Sequence, residues 1–175
     1  MIDRGDLRFR PLAERANRVR VSRDLVHPGD SPRPLAPAAH EAASRAAADL
    51  RAARDAGRAR VMAFGAHAIK NGLAPVLIRL MERGWLTHLA TNGAGIIHDW
   101  ELAWLGQTSE DVRANVARGE FGMWQETGYW VNLAINVGAY RGLGYGESVG
   151  ALIANNGLEI PARAALEEAA ATAAR

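Results

Sequence analysis

One pattern narrows the fold more than any other, and it occurs twice: an apolar run of strand length, a glycine turn, then a segment of helical period. Val61-Met62-Ala63-Phe64 is closed by Gly65, and Ala66-His67-Ala68-Ile69-Lys70-Asn71-Gly72 leads into a helix. Along that helix Leu73, Val76, Leu77, Leu80 and Met81 recur at spacings of three and four, so one face packs inward. Arg83-Gly84 ends it, and Leu86-Thr87-His88-Leu89-Ala90 reads as the second strand. Strand, helix, strand in this length is a βαβ unit, which needs a parallel pair. The second strand runs into Thr91-Asn92-Gly93-Ala94-Gly95 and a helix through Ile96-Ile97-His98-Asp99-Trp100-Glu101. Both turns therefore belong at the carboxyl edge of one sheet, where open α/β folds take ligands.

A glycine turn opening a helix aims backbone N–H groups at an anion, and a pyrophosphate is the natural guest. Gly65, Ala66 and His67 of the first turn and Thr91, Asn92, Gly93, Ala94 and Gly95 of the second are the expected cofactor contacts, with Asp99 beyond them. His98 and Glu101 are three apart and so neighbours on the helix surface, with Asp99 beside them; carboxylates there suit ribose hydroxyls or an amine, and an imidazole moves a proton. Of 21 basic residues, Lys70 is the only lysine, and it falls inside the first turn. A compact ammonium differs in kind from a guanidinium, so Lys70 joins His98 and Glu101 as the expected catalytic set. Two other chemistries use the same residues: a zinc or iron site from His67, His98, Asp99 and Glu101, or an imine on Lys70.

The absence of cysteine excludes disulfides and thiolate chemistry. With no apolar run near the roughly 20 residues that span a bilayer, and a polar start that is no signal peptide, the expectation is a soluble cytoplasmic protein without a membrane partner. Arginines at 8, 10, 15, 18, 20 and 23 precede the core, but Asp6, Glu14 and Asp24 are interspersed and no aromatic platform follows, so nucleic acid is not an expected partner.

In chain order, residues 1–36 read as an irregular lead-in, with Arg18-Val19-Arg20-Val21 as a short edge strand. Residues 37–160 form the α/β domain, starting with an alanine-rich surface helix that stops at Gly57. Ile97, Trp100, Ala103 and Trp104 share a packing face. Thr108-Ser109-Glu110-Asp111 reads as the start of a helix to about Arg118, Trp130 to Tyr140 as another, and Gly142 to Glu147 as a turn into a helix over 148–155. Residues 161–175 are a terminal helix opened by Pro161.

The runs G-A-H-A-I-K-N-G-L-A-P-V-L-I-R-L-M-E-R-G, T-H-L-A-T-N-G-A-G-I-I-H-D-W-E-L-A-W-L-G-Q-T-S-E-D-V and G-E-F-G-M-W-Q-E-T-G resemble bacterial deoxyhypusine-synthase-like proteins over about Val61 to Gly150. The resemblance implies a Rossmann-like parallel sheet flanked by helices, NAD at the carboxyl ends of the strands, and a homo-oligomer. It also implies transferase or oxidation chemistry on an amine such as a polyamine. The family's first NAD-contacting turn falls on Ala66 to Gly72, where Ala66, His67 and Lys70 replace two serines and an asparagine. Its second falls on Thr91 to Gly95, and Ile97 and His98 replace the acidic pair that follows, leaving Asp99 matched. The family's imine-forming lysine has no counterpart here. The chain is also short for the family, so an incomplete sheet is expected, and with it a second possibility: a non-catalytic or partial subunit that needs a partner chain.

Overall fold

The computed structural model describes residues 3–173, in chain order as follows. Strand β1 (Asn17–Arg20) leads through the short α1 (Val21–Asp24) to α2 (Pro37–Asp55) and β2 (Val61–Ala63). Next come α3 (Ala66–Lys70), α4 (Ala74–Glu82), β3 (His88–Ala90) and α5 (Gly93–Leu105). The chain closes with β4 (Gln107–Glu110), α6 (Val112–Ala117), α7 (Gln125–Tyr140), α8 (Tyr145–Ala154) and α9 (Arg163–Ala173). The protein is mixed α/β. Among the described residues its strands form two sheets of two, β1 with β4 and β2 with β3.

The chain divides into two compact units, Val19–His98 and Met1–Arg18 with Asp99–Arg175, and the division falls within β1 and within α5. This differs from the expected partition at residues 36 and 160. Residues 10–18 are structural, for a reason in their hydrogen bonds: Arg10 N–H donates to the Met123 carbonyl at 2.9 Å and Gln125 N–H to the Arg10 carbonyl at 2.9 Å. Leu12 N–H donates to the Glu126 carboxylate at 2.6 Å, and the Leu12 side chain is wholly buried.

In the unit formed by Met1–Arg18 and Asp99–Arg175, α7 packs along α8. Val131, Ala134 and Val137 recur every three residues on α7 and are buried, as are Val149 and Leu152 of α8. The crossing is close because Gly138 has no side chain: a Cβ there would lie 1.8 Å from Ser148 Oγ. Thr108 to Glu110 is strand rather than helix start. The Thr108 hydroxyl is committed to Glu101, and the cap of α6 is Asp111, whose carboxylate accepts from Ala114 N–H at 3.0 Å.

In the unit Val19–His98, β2 and β3 run parallel in register, Val61 beside His88, Met62 beside Leu89 and Ala63 beside Ala90. Arg60 and Thr87 stitch their entry: Arg60 N–H donates to Thr87 Oγ1 at 2.9 Å, and Thr87 N–H to the Arg60 carbonyl at 3.0 Å. The helix expected after the first turn is broken into α3 and α4 at Gly72. Its φ of +83° is left-handed, and a Cβ would lie 2.0 Å from the Asp24 carbonyl oxygen. The Gly72 carbonyl accepts from Val26 N–H at 2.9 Å. Helix α2 buries no residue along its length, as its composition leads one to expect. At its end the Arg54 guanidinium lies 4.4 Å above the Trp85 ring.

Candidate functional site

Strand register decides where the two glycine turns go. Because Ala63 is paired with Ala90 and Phe64 N–H continues the ladder onto the Ala90 carbonyl at 2.9 Å, both strands end at the same level. Gly65-Ala66-His67 and Thr91-Asn92-Gly93-Ala94-Gly95 therefore leave the sheet side by side at its carboxyl edge, each into a helix. Asn92 caps α5, its backbone and side-chain oxygens accepting from Gly95 N–H at 2.9 and 3.1 Å. Gly95 is buried under Thr91, whose Oγ1 would lie 2.5 Å from any Cβ placed there. The glycine thus serves the tightness of the turn. Gly65, His67, Thr91, Asn92 and Ala94 are exposed, while Ala66, Lys70, Gly93 and His98 are half-buried. Neither turn contains a carboxylate, and the first carries His67 and Lys70. Backbone donors, the positive end of a 13-residue helix and this charge balance fit an anionic group.

Asp99 and Glu101 belong to the other unit. The sequence gives Glu101 a catalytic role, whereas the structure commits its carboxylate to four donors of its own chain. Oε1 accepts from Arg15 Nη1 at 2.9 Å and Thr127 Oγ1 at 2.8 Å; Oε2 accepts from Arg15 Nη2 at 2.6 Å and Thr108 Oγ1 at 2.5 Å. Both side chains of the ion pair are almost fully buried, at 4% and 1% exposure. Arg15 Nε donates to Asn17 Oδ1 at 2.7 Å, and its guanidinium lies 5.4 Å from the centre of the Trp124 ring. A carboxylate so filled has no lone pair left for a substrate. Arg15 lies 86 residues away in sequence, beyond the reach of any spacing rule. Asp99 is open to solvent on one side, yet the protein around it strips enough water to push its carboxyl above the ordinary range.

Among the described residues no group of three or more His, Asp or Glu could hold a metal ion. No helix among them is long and apolar enough to cross a membrane.

The same unit holds a feature only half visible in the sequence. Trp100 and Trp104 stack with ring centres 5.1 Å apart and planes 17° from parallel. Together with Trp130 and the last turn of α8 they line a cleft of about 110 Å³. The spacing of four between the first two tryptophans marks a shared face; nothing in the sequence brings Trp130 to them.

No family model, curated protein or solved structure matches this chain.

Proposed function

We propose that the sheet-edge turns hold the phosphates of a dinucleotide, and that the chain resembles deoxyhypusine-synthase-like enzymes in using NAD for transfer or oxidation of an amine-bearing small molecule. The observation that carries the reading is the parallel register of β2 and β3, which sets two glycine turns side by side at the carboxyl edge of the strands. On this reading the pair is the smallest form of a Rossmann-like edge. With Gly95 N–H taken by Asn92, the donors for a phosphate oxygen are the N–H groups of Gly93 and Ala94 in the first turn of α5. His67 and Lys70 supply positive or proton-transferring groups from the other turn, and Lys70 and His98 are the candidate acid and base. When bound, the nicotinamide would accept a hydride; the chain's task is to orient it and move the proton.

The test is calorimetry with NAD on the chain and on Ala94→Glu. Ala94 is exposed, and an acid in the first turn favours the helix dipole while repelling a phosphate, so fold is kept and binding is lost. Saturable binding weakened at least tenfold by the substitution supports the reading. No binding at millimolar NAD by a folded sample ends it.

A second reading rests on an observation of its own. Parallel sheets are ordinarily covered on both faces, yet Val61 is 63% and Leu89 39% exposed, and every residue of β3 is open. A subunit that completes its sheet with a second copy, or with a different chain, would account for this. Sedimentation at micromolar concentration tests it: a homo-oligomer sediments above the monomer mass of 18.8 kDa.

A further inference from the structure

We infer that the tryptophan cleft is a binding site for a small organic cation, an alkylammonium head group. Two independent features of its wall favour positive charge. The first is aromatic: Trp100, Trp104 and Trp130 line it, and an indole is the strongest of the side-chain π-systems in attracting a cation. The second is the backbone. Leu152, Ile153 and Asn156 complete the wall, so the cleft lies at the carboxyl end of the ten-residue α8, the negative end of its dipole, although the Leu152 and Ile153 carbonyls accept from Gly157 and Asn156 N–H.

The cleft also lacks what would oppose a cation. No arginine lines it, although the chain is rich in arginine, and no carboxylate lines it to hold a bare metal ion. A volume near 110 Å³ is that of about four waters, enough for a trimethylammonium-sized head; its lining, aromatic and without a charged side chain, sets the class of guest. Trp104 is half exposed, so the site is reached from solvent, while Trp100, at 2% exposure, fixes the stacked wall behind it. The edge of Trp130 is set by Tyr129, 5.2 Å away and nearly perpendicular. The inference does not depend on the dinucleotide reading, because its probe contains no phosphate and its residues are none of those in the turns.

The experiment titrates the full chain with choline and with 3,3-dimethylbutan-1-ol, its uncharged carbon analogue, following the indole N–H signals by nuclear magnetic resonance. The chain has five tryptophans. Choline is expected to shift the signals of Trp100, Trp104 and Trp130 saturably, to leave Trp85 and Trp124 in place, and to bind about tenfold more tightly than the neutral analogue. Trp104→Leu, a change at a half-exposed position that keeps apolar bulk, is expected to remove that preference for charge. Equal affinity for the two probes, shifts spread over all five indoles, or no saturation by tens of millimolar choline would each overturn the inference.

Discussion

The two units are built to different standards. The unit containing α7 and α8 buries Leu12, Trp100, Leu102, Trp124, Val131, Ala134, Val137, Val149 and Leu152, and with them the polar groups Arg15, Glu101, Thr108, Asn115 and Ser148. In the unit containing β2 and β3, the buried apolar side chains among the described residues are Ile69, Leu77 and Leu86. One unit is organised around a filled polar centre inside an apolar shell. The other is held largely by main-chain stitching and leaves its strands open. The two glycine turns lie in the less buried unit, and the dinucleotide proposed for them would bring its own contacts there.

The contrast is broken most forcefully at Glu101. Glu101→Leu strands a buried guanidinium and two hydroxyls, and a loss of about 3–5 kcal/mol in urea unfolding is expected, with most of it recovered in Arg15→Met/Glu101→Leu. A loss below about 1 kcal/mol would mean that the ion pair is not the centre of its unit. Gly72→Ala sharpens the comparison from the other side. Its left-handed backbone and the Asp24 carbonyl in the path of a Cβ make a cost of about 3 kcal/mol the expectation. Hydrogen exchange should show the loosening in residues 19–98, leaving the α7–α8 amides protected; uniform loss would show that the units unfold together. The smallest effect is at Asp99. Its carboxyl is pushed above the ordinary range by desolvation, so the charged form is disfavoured in the folded state at neutral pH. Asp99→Asn should raise the melting temperature at pH 7 by about 1–2 °C. That advantage should fade as pH falls from the raised folded value towards the ordinary 3.8, below which aspartate is neutral folded or unfolded. An advantage that persisted at pH 3 would assign it to something other than charge.

What sequence could show about this molecule follows the range of the interactions involved. The βαβ stretch was readable because an apolar run, a glycine and a three-to-four spacing are local signals, and β1, β2, β3 and α4 stand close to where they point. The break at Gly72 was not, since it depends on the carbonyl of Asp24 and on a bond from Val26. Glu101 reads as a site acid for the same reason: its neighbours His98 and Asp99 are visible in the sequence, whereas Arg15, Thr108 and Thr127 meet it only after folding. Thr108 reads as a helix cap in the sequence, but its hydroxyl has a stronger acceptor in the Glu101 carboxylate. Half of the tryptophan cleft was legible as a face on α5, but the end of α8 that closes it comes from a separate part of the chain.

The open faces of β2 and β3 have a consequence for handling the protein as well as for its chemistry. In a two-stranded sheet each strand has one edge with unused main-chain donors and acceptors, and the run Val61-Met62-Ala63-Phe64 carries no charge or proline to deter pairing. Such an edge is a template for any extended chain it meets, including another molecule's copy of the same run. A lysine at an edge position, such as Val61→Lys, would act as a gatekeeper against that association.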